Sequence, residues 1–455
     1  MTLRAEMLHL KNFRCFRNAT LELHPRLTVI VADNGMGKTA LLDAIAIGMA
    51  ECVDALVGVR TSRGLLPSDV RTTIDGKEPT TLAIAAALDG KPTAWTLTRK
   101  SSKSPMRRGA KQLAAVKAVA ASLIDIANKP ASTLPLFVFY RSSRFAQSSY
   151  FEDKFAGTKR LPPGRLIGLA DYLTPLSDPA RFTEWYAARQ QAVRGRTDSG
   201  VGIGQDPLAW AQLSAVRAAV KTVLEPTGWS EIDWDSSSGR VVVEHSDHPE
   251  LGRLPLSWLS SGIRSMIALV ADLAFRCASL NPELGEDAAK STPGLALIDE
   301  VDLHLHPAWQ QRVVERLQAA FASMQFVLTT HSPQVLSTVF VESVRVVQHQ
   351  EDGSSVSSPT LQTRGIESAD ILAKIMSVHP VPAVPESQWL SDYRALVQSG
   401  QHKTAEASSL WSRLVEHFGA SHPVLDDIAV IRRLQEFKQA HGLDNGKQGG
   451  ANAQA

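Results

Sequence analysis

The sequence predicts an α/β fold: a head built on a parallel sheet, interrupted by a compact helical insertion and followed by an all-helical C-terminal region. Three observations predict it. An apolar, β-rich run at Leu27–Val31 precedes a polar loop, strand–turn units stand at Gly294–Asp302 and Gln325–Pro333, and helical spacing follows the first and separates the second from the third. Strands alternating with helices in this way imply a parallel sheet with helical crossovers. The second run begins far from the first, and the intervening residues 165–230 read mostly as helix. Beyond about residue 370 the strand pattern gives way to helical spacing.

The elements follow in order. "LTVIVADNGMGKTALLDAIAIGMA" reads as strand, loop and helix, with Leu42, Ile45 and Ala46 at helical spacing. In the middle, Trp185, Tyr186, Trp210 and Leu213 are the expected core anchors, and "VRGRTDSGVGIGQDP" reads as an exposed loop. "SGRVVVEH" reads as a strand. "SQWLSDYRALVQSGQHKTAEASSLWSRLVEHFG" reads as two amphipathic helices joined near Gly400, with a third in "DIAVIRRLQEFKQAHG". The tail "LDNGKQGGANAQA" is polar and Gly-rich, the composition of a disordered segment. These readings divide the chain into 1–160, the N-terminal part of the head; 161–237, the helical insertion; 238–370, the C-terminal part of the head; 371–442, a helical partner-binding region; and 443–455, the tail.

Bulk properties narrow the class. The chain has 455 residues, 44% apolar and 21% charged, which suits a multidomain globular protein. A net charge of +2 is too near neutral to imply a polyanionic partner by itself. The three cysteines are scattered and form neither a metal spacing nor a disulfide framework, which fits a reducing, cytoplasmic setting. "MTLRAEMLHLKNFRCF" is broken by charges and is no signal peptide, and no apolar run is long enough for a bilayer, so no membrane partner is expected. No internal repeat or sustained heptad is visible.

Four motifs carry chemistry. "ADNGMGKT" nearly matches the phosphate-binding loop G-x-x-x-x-G-K-[ST], with Ala32 at the first glycine position. In such loops the backbone N–H groups and the following helix N-terminus surround a phosphate, the lysine adds charge and the hydroxyl holds Mg²⁺. Asn34, Gly35, Gly37, Lys38 and Thr39 occupy those places. Alanine at the first position is tolerable where the backbone keeps a negative φ. "GLALIDEVD" then puts Asp299 at a strand end, where it suits the Mg²⁺ shell, and Glu300 next to it, where it suits polarisation of an attacking water. "TTHSP" puts His331 at the end of the next strand as a γ-phosphate contact. "LSSGIRSMIALVADL" places Ser260, Ser261 and Gly262 at a helix start, a hydroxyl and N–H anion site.

Taken in order, the loop, the "SSG" helix, "LIDEVD" and "TTHSP" resemble an ABC-type ATPase head, most of all the RecF/SMC-like and overcoming-lysogenisation-like ATPases. "LKNFRCFRNATLEL" matches the hairpin that opens such heads, and "DEVDLHLHP", with Asp302 and His306-Pro307, resembles the defence-related members. The resemblance covers about residues 1–150 and 250–350. It implies ATP and Mg²⁺ as ligands and a homodimer or higher homo-oligomer formed through the heads. Lys38, Thr39, Asp299 and Glu300 of one copy would then face Ser261 and Gly262 of the other across ATP. The sequence departs from that pattern at Ala32, at the second serine of "SSG", and at the Q-loop: "FVFYRSSR" stands where a glutamine belongs, with Gln147 nearby.

The residues "GIESADILAKIMSV" through "HPVLDDIAVIRRLQEF" resemble the C-terminal region of the PtuA ATPases of Septu anti-phage systems and of related retron-associated ATPases. That implies regulation and scaffolding of a separate HNH-type nuclease. No strand-borne Glu followed by Asp-x-Asp marks a nuclease centre in this chain, and Asp426-Asp427 lies in a helical context. Two alternatives stand beside this reading. A RecF-like DNA-repair ATPase would bind DNA through the stretch Gly90–Ile124, which has no acidic residue but carries Lys91, Arg99, Lys100, Lys103, Arg107, Arg108, Lys111 and Lys117. A transporter subunit is disfavoured by the missing Q-loop glutamine and the "FRCF" opening.

Overall fold

The computed structural model describes residues 2–58, 64–71, 78–108, 110–129, 132–142, 164–173, 179–194, 206–351 and 353–441. Gln147, most of "VRGRTDSGVGIGQDP" and the tail lie outside the described residues. The chain forms two compact units, Met1–Ser377 and Val378–Ala455.

Among the described residues, the first unit contains three sheets. One is antiparallel, in the order β2-β1-β4-β5-β6, from β1 (Leu3–Phe13), β2 (Phe16–Glu22), β4 (Thr80–Leu88), β5 (Lys91–Arg99) and β6 (Met106–Arg108). The central sheet uses β3 (Leu27–Ala32), β7 (Leu136–Tyr140), β11 (Gly294–Ile298), β12 (Met324–Thr330), β13 (Val344–Gln350) and β14 (Gly353–Ser357), in the order β14-β13-β3-β12-β11-β7. Every pair in it is parallel except β13 with β14. Its inner strands are buried on both faces, hence the unbroken apolar runs in place of alternation. The third sheet orders β10 (Arg253–Pro255), β9 (Arg240–His245) and β8 (Trp229–Asp235). β9 is the expected strand; β8, within the stretch assigned to the helical insertion, is its antiparallel partner.

α1 (Lys38–Val57) follows β3 and is buried along most of its length. The antiparallel sheet lies against it, and the Trp95 indole donates to the Gly48 carbonyl over 2.9 Å. α2 (Ala110–Ala127) packs beside α1. Gln325 of β12 ties the two large sheets together: its amide accepts from Ala5 N (3.0 Å) and donates to Ala5 O (2.8 Å) and His24 O (3.0 Å).

The middle of the chain supplies α3 (Pro179–Arg194) and α4 (Pro207–Leu224), which pack on α5 (Ser261–Leu280). Asp206 caps α4 by accepting from Leu208 N and Ala209 N. Tyr186 and Leu213 are buried and Trp185 is half-buried, but Trp210, expected in the core, is 44% exposed. It shares the side of α4 that carries Arg217 and Lys221, while Leu213, Val216 and Val220 face inward. Short helices α6 (Ala288–Ser291), α7 (Pro307–Gln310), α8 (Val313–Ala320), α9 (Pro333–Leu336) and α10 (Ser368–Lys374) complete the unit.

The second unit is α11 (Pro385–Gln398), α12 (Ala405–Phe418) and α13 (Pro423–Ala440), with Gly400 in the first turn region at a left-handed φ of 75°. Tyr393, Val397, Leu414, Leu425 and Ile428 form its core. Arg413 covers Trp389 at 4.0 Å and Arg432 covers Trp411 at 5.4 Å.

Candidate functional site

The expected phosphate-binding loop is the connection from β3 to α1. Ala32 closes β3 in an extended backbone, whereas Gly35 and Gly37 take left-handed φ values of 78° and 107°. The missing first glycine therefore costs no backbone strain, because the positive angles fall where glycines stand. Gly37 caps α1, and a Cβ there would overlap Cys15 Sγ and the Phe16 ring. The tip of the β1–β2 hairpin thus presses on the loop, and "FRCF" is a structural neighbour of it. Lys38 Nζ donates back to the carbonyls of Ala32 (2.7 Å) and Asp33 (3.1 Å), so the chain curls around its ammonium group. Burial pushes Lys38 below the usual lysine range, against the pull of Asp299, Glu300, Asp33 and Asp302.

The sheet order brings the acidic strand end to this loop. Thr39 Oγ1 donates to Asp299 Oδ2 over 2.9 Å. Thr329 at the end of β12 has two tasks: its hydroxyl donates to Asp299 Oδ1 (2.5 Å) and accepts from Glu300 N (2.7 Å). Asp299 N donates in turn to the Tyr140 carbonyl at the end of β7 (2.8 Å). Asp299 is held from α1, β12 and β7 and is buried, while Glu300 is only half-buried and sits at a left-handed φ of 50°. A non-glycine residue in that conformation costs energy, and the bond from Glu300 N to the Thr329 hydroxyl helps to hold it. Thr330 repeats the device one residue on, donating to Asp302 Oδ1 (2.6 Å). His331 follows directly, half-buried at the end of β12.

Ser260 caps α5 by accepting from Ile263 N (3.4 Å), and Ser261 is exposed. Gly262 is buried against the turn after Glu300: a Cβ there would overlap the His304 carbonyl. Glycine at this place is needed for that close approach. The "SSG" end and the "DEVDLHL" turn are therefore one packed piece. His306, from the same turn, caps α7 through Ala308 N.

Several contributors had no sequence signal. Asp43, one turn beyond Thr39 on α1, is ion-paired with Arg14 of the hairpin (2.7 Å) and Arg141 after β7 (2.7 Å), and Arg14 also pairs with Asp69 (2.9 Å). Tyr140 donates its hydroxyl to Asp272 of α5 (2.6 Å), which also pairs with Arg276 (2.8 Å). Burial and that carboxylate hold the Tyr140 phenol well above its usual range. The basic stretch is divided. Arg99 donates to the carbonyls of Leu65, Ser101 and Ser102 and so is structural, while Lys91, Lys100, Lys103, Arg107 and Lys117 are exposed. Among the described residues no group of His, Cys, Asp and Glu forms a metal cluster, and no helix is long and apolar enough to cross a membrane.

The donor set fits Mg²⁺ and a nucleotide. A hydroxyl and a carboxylate, both hard oxygens, lie within hydrogen-bond distance of each other at the foot of the loop, as a cation that keeps most of its waters requires.

Comparison with known proteins agrees with these features. Two AAA-domain models match the chain, one over residues 7–178 and one over 143–337 whose description also names an AbiEii toxin of a type IV TA system. The retron Vc95 probable ATPase of Vibrio cholerae is 41% identical over 146 residues, 31% of this chain and 28% of that protein. The Septu protein PtuA of Bacillus mycoides is 38% identical over 94 residues, 21% of this chain and 12% of that protein. Each match thus spans less than a third of the relative's length. Among solved structures, an SMC head bound to the C-terminal winged-helix domain of ScpA aligns with a TM-score of 0.45 at 15% identity, covering 79% of this chain and 98% of that one. The expected likeness to retron-associated and Septu-type ATPases is therefore found, on a mixed α/β head.

Proposed function

We propose that this chain, an AAA-domain protein similar to retron and Septu ATPases, binds and hydrolyses ATP as the regulatory subunit of an anti-phage complex. The observation that carries the reading is the Thr39–Asp299 hydrogen bond, which joins the glycine loop to the acidic strand end. Asn34, Gly35, Gly37 and Lys38 would surround the phosphates. Thr39 and Asp299 would hold Mg²⁺, which when bound neutralises phosphate charge. Glu300, directly after Asp299 and only half-buried, would orient and deprotonate the attacking water, and His331 would contact the terminal phosphate. Ser260, Ser261 and Gly262 would close the site from a second copy, and the exposure of Ser261 supports that.

The helical second unit would hold a partner nuclease of the HNH type. Its support is the Septu likeness and an exposed apolar line on α13, Val430, Leu434 and Phe437. A test of the chemistry is Glu300→Gln: ATP binding should persist while turnover falls about 10²–10⁴-fold. Unchanged turnover would remove Glu300 from the base role.

The exposed Lys91, Lys100, Lys103, Arg107 and Lys117 favour a second reading, a RecF-like ATPase that binds DNA directly. Strong, ATP-dependent and salt-sensitive DNA binding by the purified chain alone would support it over the partner-nuclease reading.

A further inference from the structure

We infer that Tyr140 is a positioning residue: through Asp272 it fixes the Ser260–Gly262 end of α5 relative to the acidic strand end of the same chain, and so makes the nucleotide sites of two paired copies close together. The inference rests on the nucleotide and second-copy reading above. In that arrangement each copy brings its glycine loop to one site and its Ser260–Gly262 end to the other. Both sites close at once only if the spacing between those two parts of one copy is set. Tyr140, fully buried at the end of β7, reaches both parts. Its carbonyl accepts from Asp299 N (2.8 Å), and its hydroxyl donates to Asp272 Oδ2 of α5 (2.6 Å). A hydroxyl bonded to a carboxylate is among the stronger and more directed contacts a side chain makes.

Helix α5 is thereby attached twice to the segment around Asp299. Near its start, Gly262 packs on the His304 carbonyl, in the turn after Glu300. Ten residues on, about 15 Å along the axis, Asp272 takes the Tyr140 hydroxyl. One attachment alone is a pivot, whereas two fix the tilt of the helix. Apolar burial against α3 and α4 also holds α5, but that force has no direction. Arg276, one turn beyond Asp272, completes the device. Its Nε donates to Asp272 Oδ2 (2.8 Å), and its Nη1 donates to the carbonyls of Gly168 (3.2 Å) and Ala170 (2.5 Å). The carboxylate is therefore aimed by Arg276, and it keeps that partner if the Tyr140 hydroxyl is removed. Deleting the hydroxyl loosens the tie without leaving a buried charge unpaired.

The test is Tyr140→Phe in the full chain. Mg²⁺-ADP affinity is measured on the dilute protein, and Mg²⁺-ATPγS saturation by titration calorimetry at concentrations where sedimentation shows the copies to pair. ADP affinity should stay within about twofold, while the Hill coefficient for ATPγS should fall from about 1.5 or more to about 1. Turnover at saturating ATP should drop about tenfold or more, with the half-saturating concentration little changed. Asp272→Asn, whose amide oxygen still accepts but carries no charge, should lower the Hill coefficient by less, and it alone is read if Tyr140→Phe does not fold. A purely structural Tyr140 would lower the melting temperature and leave the Hill coefficient at its wild-type value, which overturns the inference. So does a wild-type chain that pairs with a Hill coefficient of about 1. If the wild-type chain binds ATPγS and does not pair at all, the second-copy reading itself falls.

Discussion

Thr39 donates its hydroxyl hydrogen to Asp299 Oδ2 over 2.9 Å, across 260 positions of the chain. The bond closes because β3 and β11 flank β12 in a parallel sheet, so the loop after one strand and the carboxylate after the other emerge on the same edge.

That bond predicts non-additive mutants. Thr39→Ala and Asp299→Asn should each lower the Mg²⁺-dependent part of ATP affinity about tenfold or more. The double variant should be little worse than the poorer single one. Additive losses in the four-way comparison would mean that the two residues hold different ligands.

Lys38 predicts a pH dependence. Burial lowers its pKa, and phosphate binding requires the charged form, so affinity is full below that pKa and falls as pH rises through it. ATP affinity of the free protein should therefore decline at a lower pH than an ordinary lysine would give, and a Lys38→Arg variant should move the decline upward. A flat profile to high pH would exclude Lys38 as the charge that matters.

Gly262 predicts a separation of binding from assembly. Gly262→Ala forces a methyl group into the His304 carbonyl, an overpacking that costs about 1–3 kcal/mol. Melting temperature should drop, ADP affinity should stay within about twofold, and ATP-driven self-association in sedimentation should be lost. Retained self-association would show that the "SSG" end is not at a subunit junction.

The cysteines predict a labelling pattern. Burial pushes the Cys52 and Cys277 thiols up to about 12, so at pH 8 their thiolate fraction is on the order of one in ten thousand. Both should resist a thiol reagent in the native protein and react fully in denaturant. Fast native labelling at either would contradict their burial.

What the sequence alone determined is local. The glycine loop, the Asp299-Glu300 pair and the amphipathic helices of the second unit were legible because a turn, a strand end or a helix face is written in residues a few positions apart. The sequence also carried the motif order, from which the family likeness followed. What the tertiary structure decided is which distant residues complete the site. Thr329 as the clamp on Asp299 and Glu300, Arg14 and Arg141 on Asp43, and the Tyr140–Asp272 link all depend on strand order and on the path of the hairpin. Trp210 was misplaced for the same reason: composition says that a tryptophan favours burial, but the rotation of α4 against α5 decides which face is covered. Local periodicity is set by backbone geometry within one element, whereas such contacts are set by how elements pack.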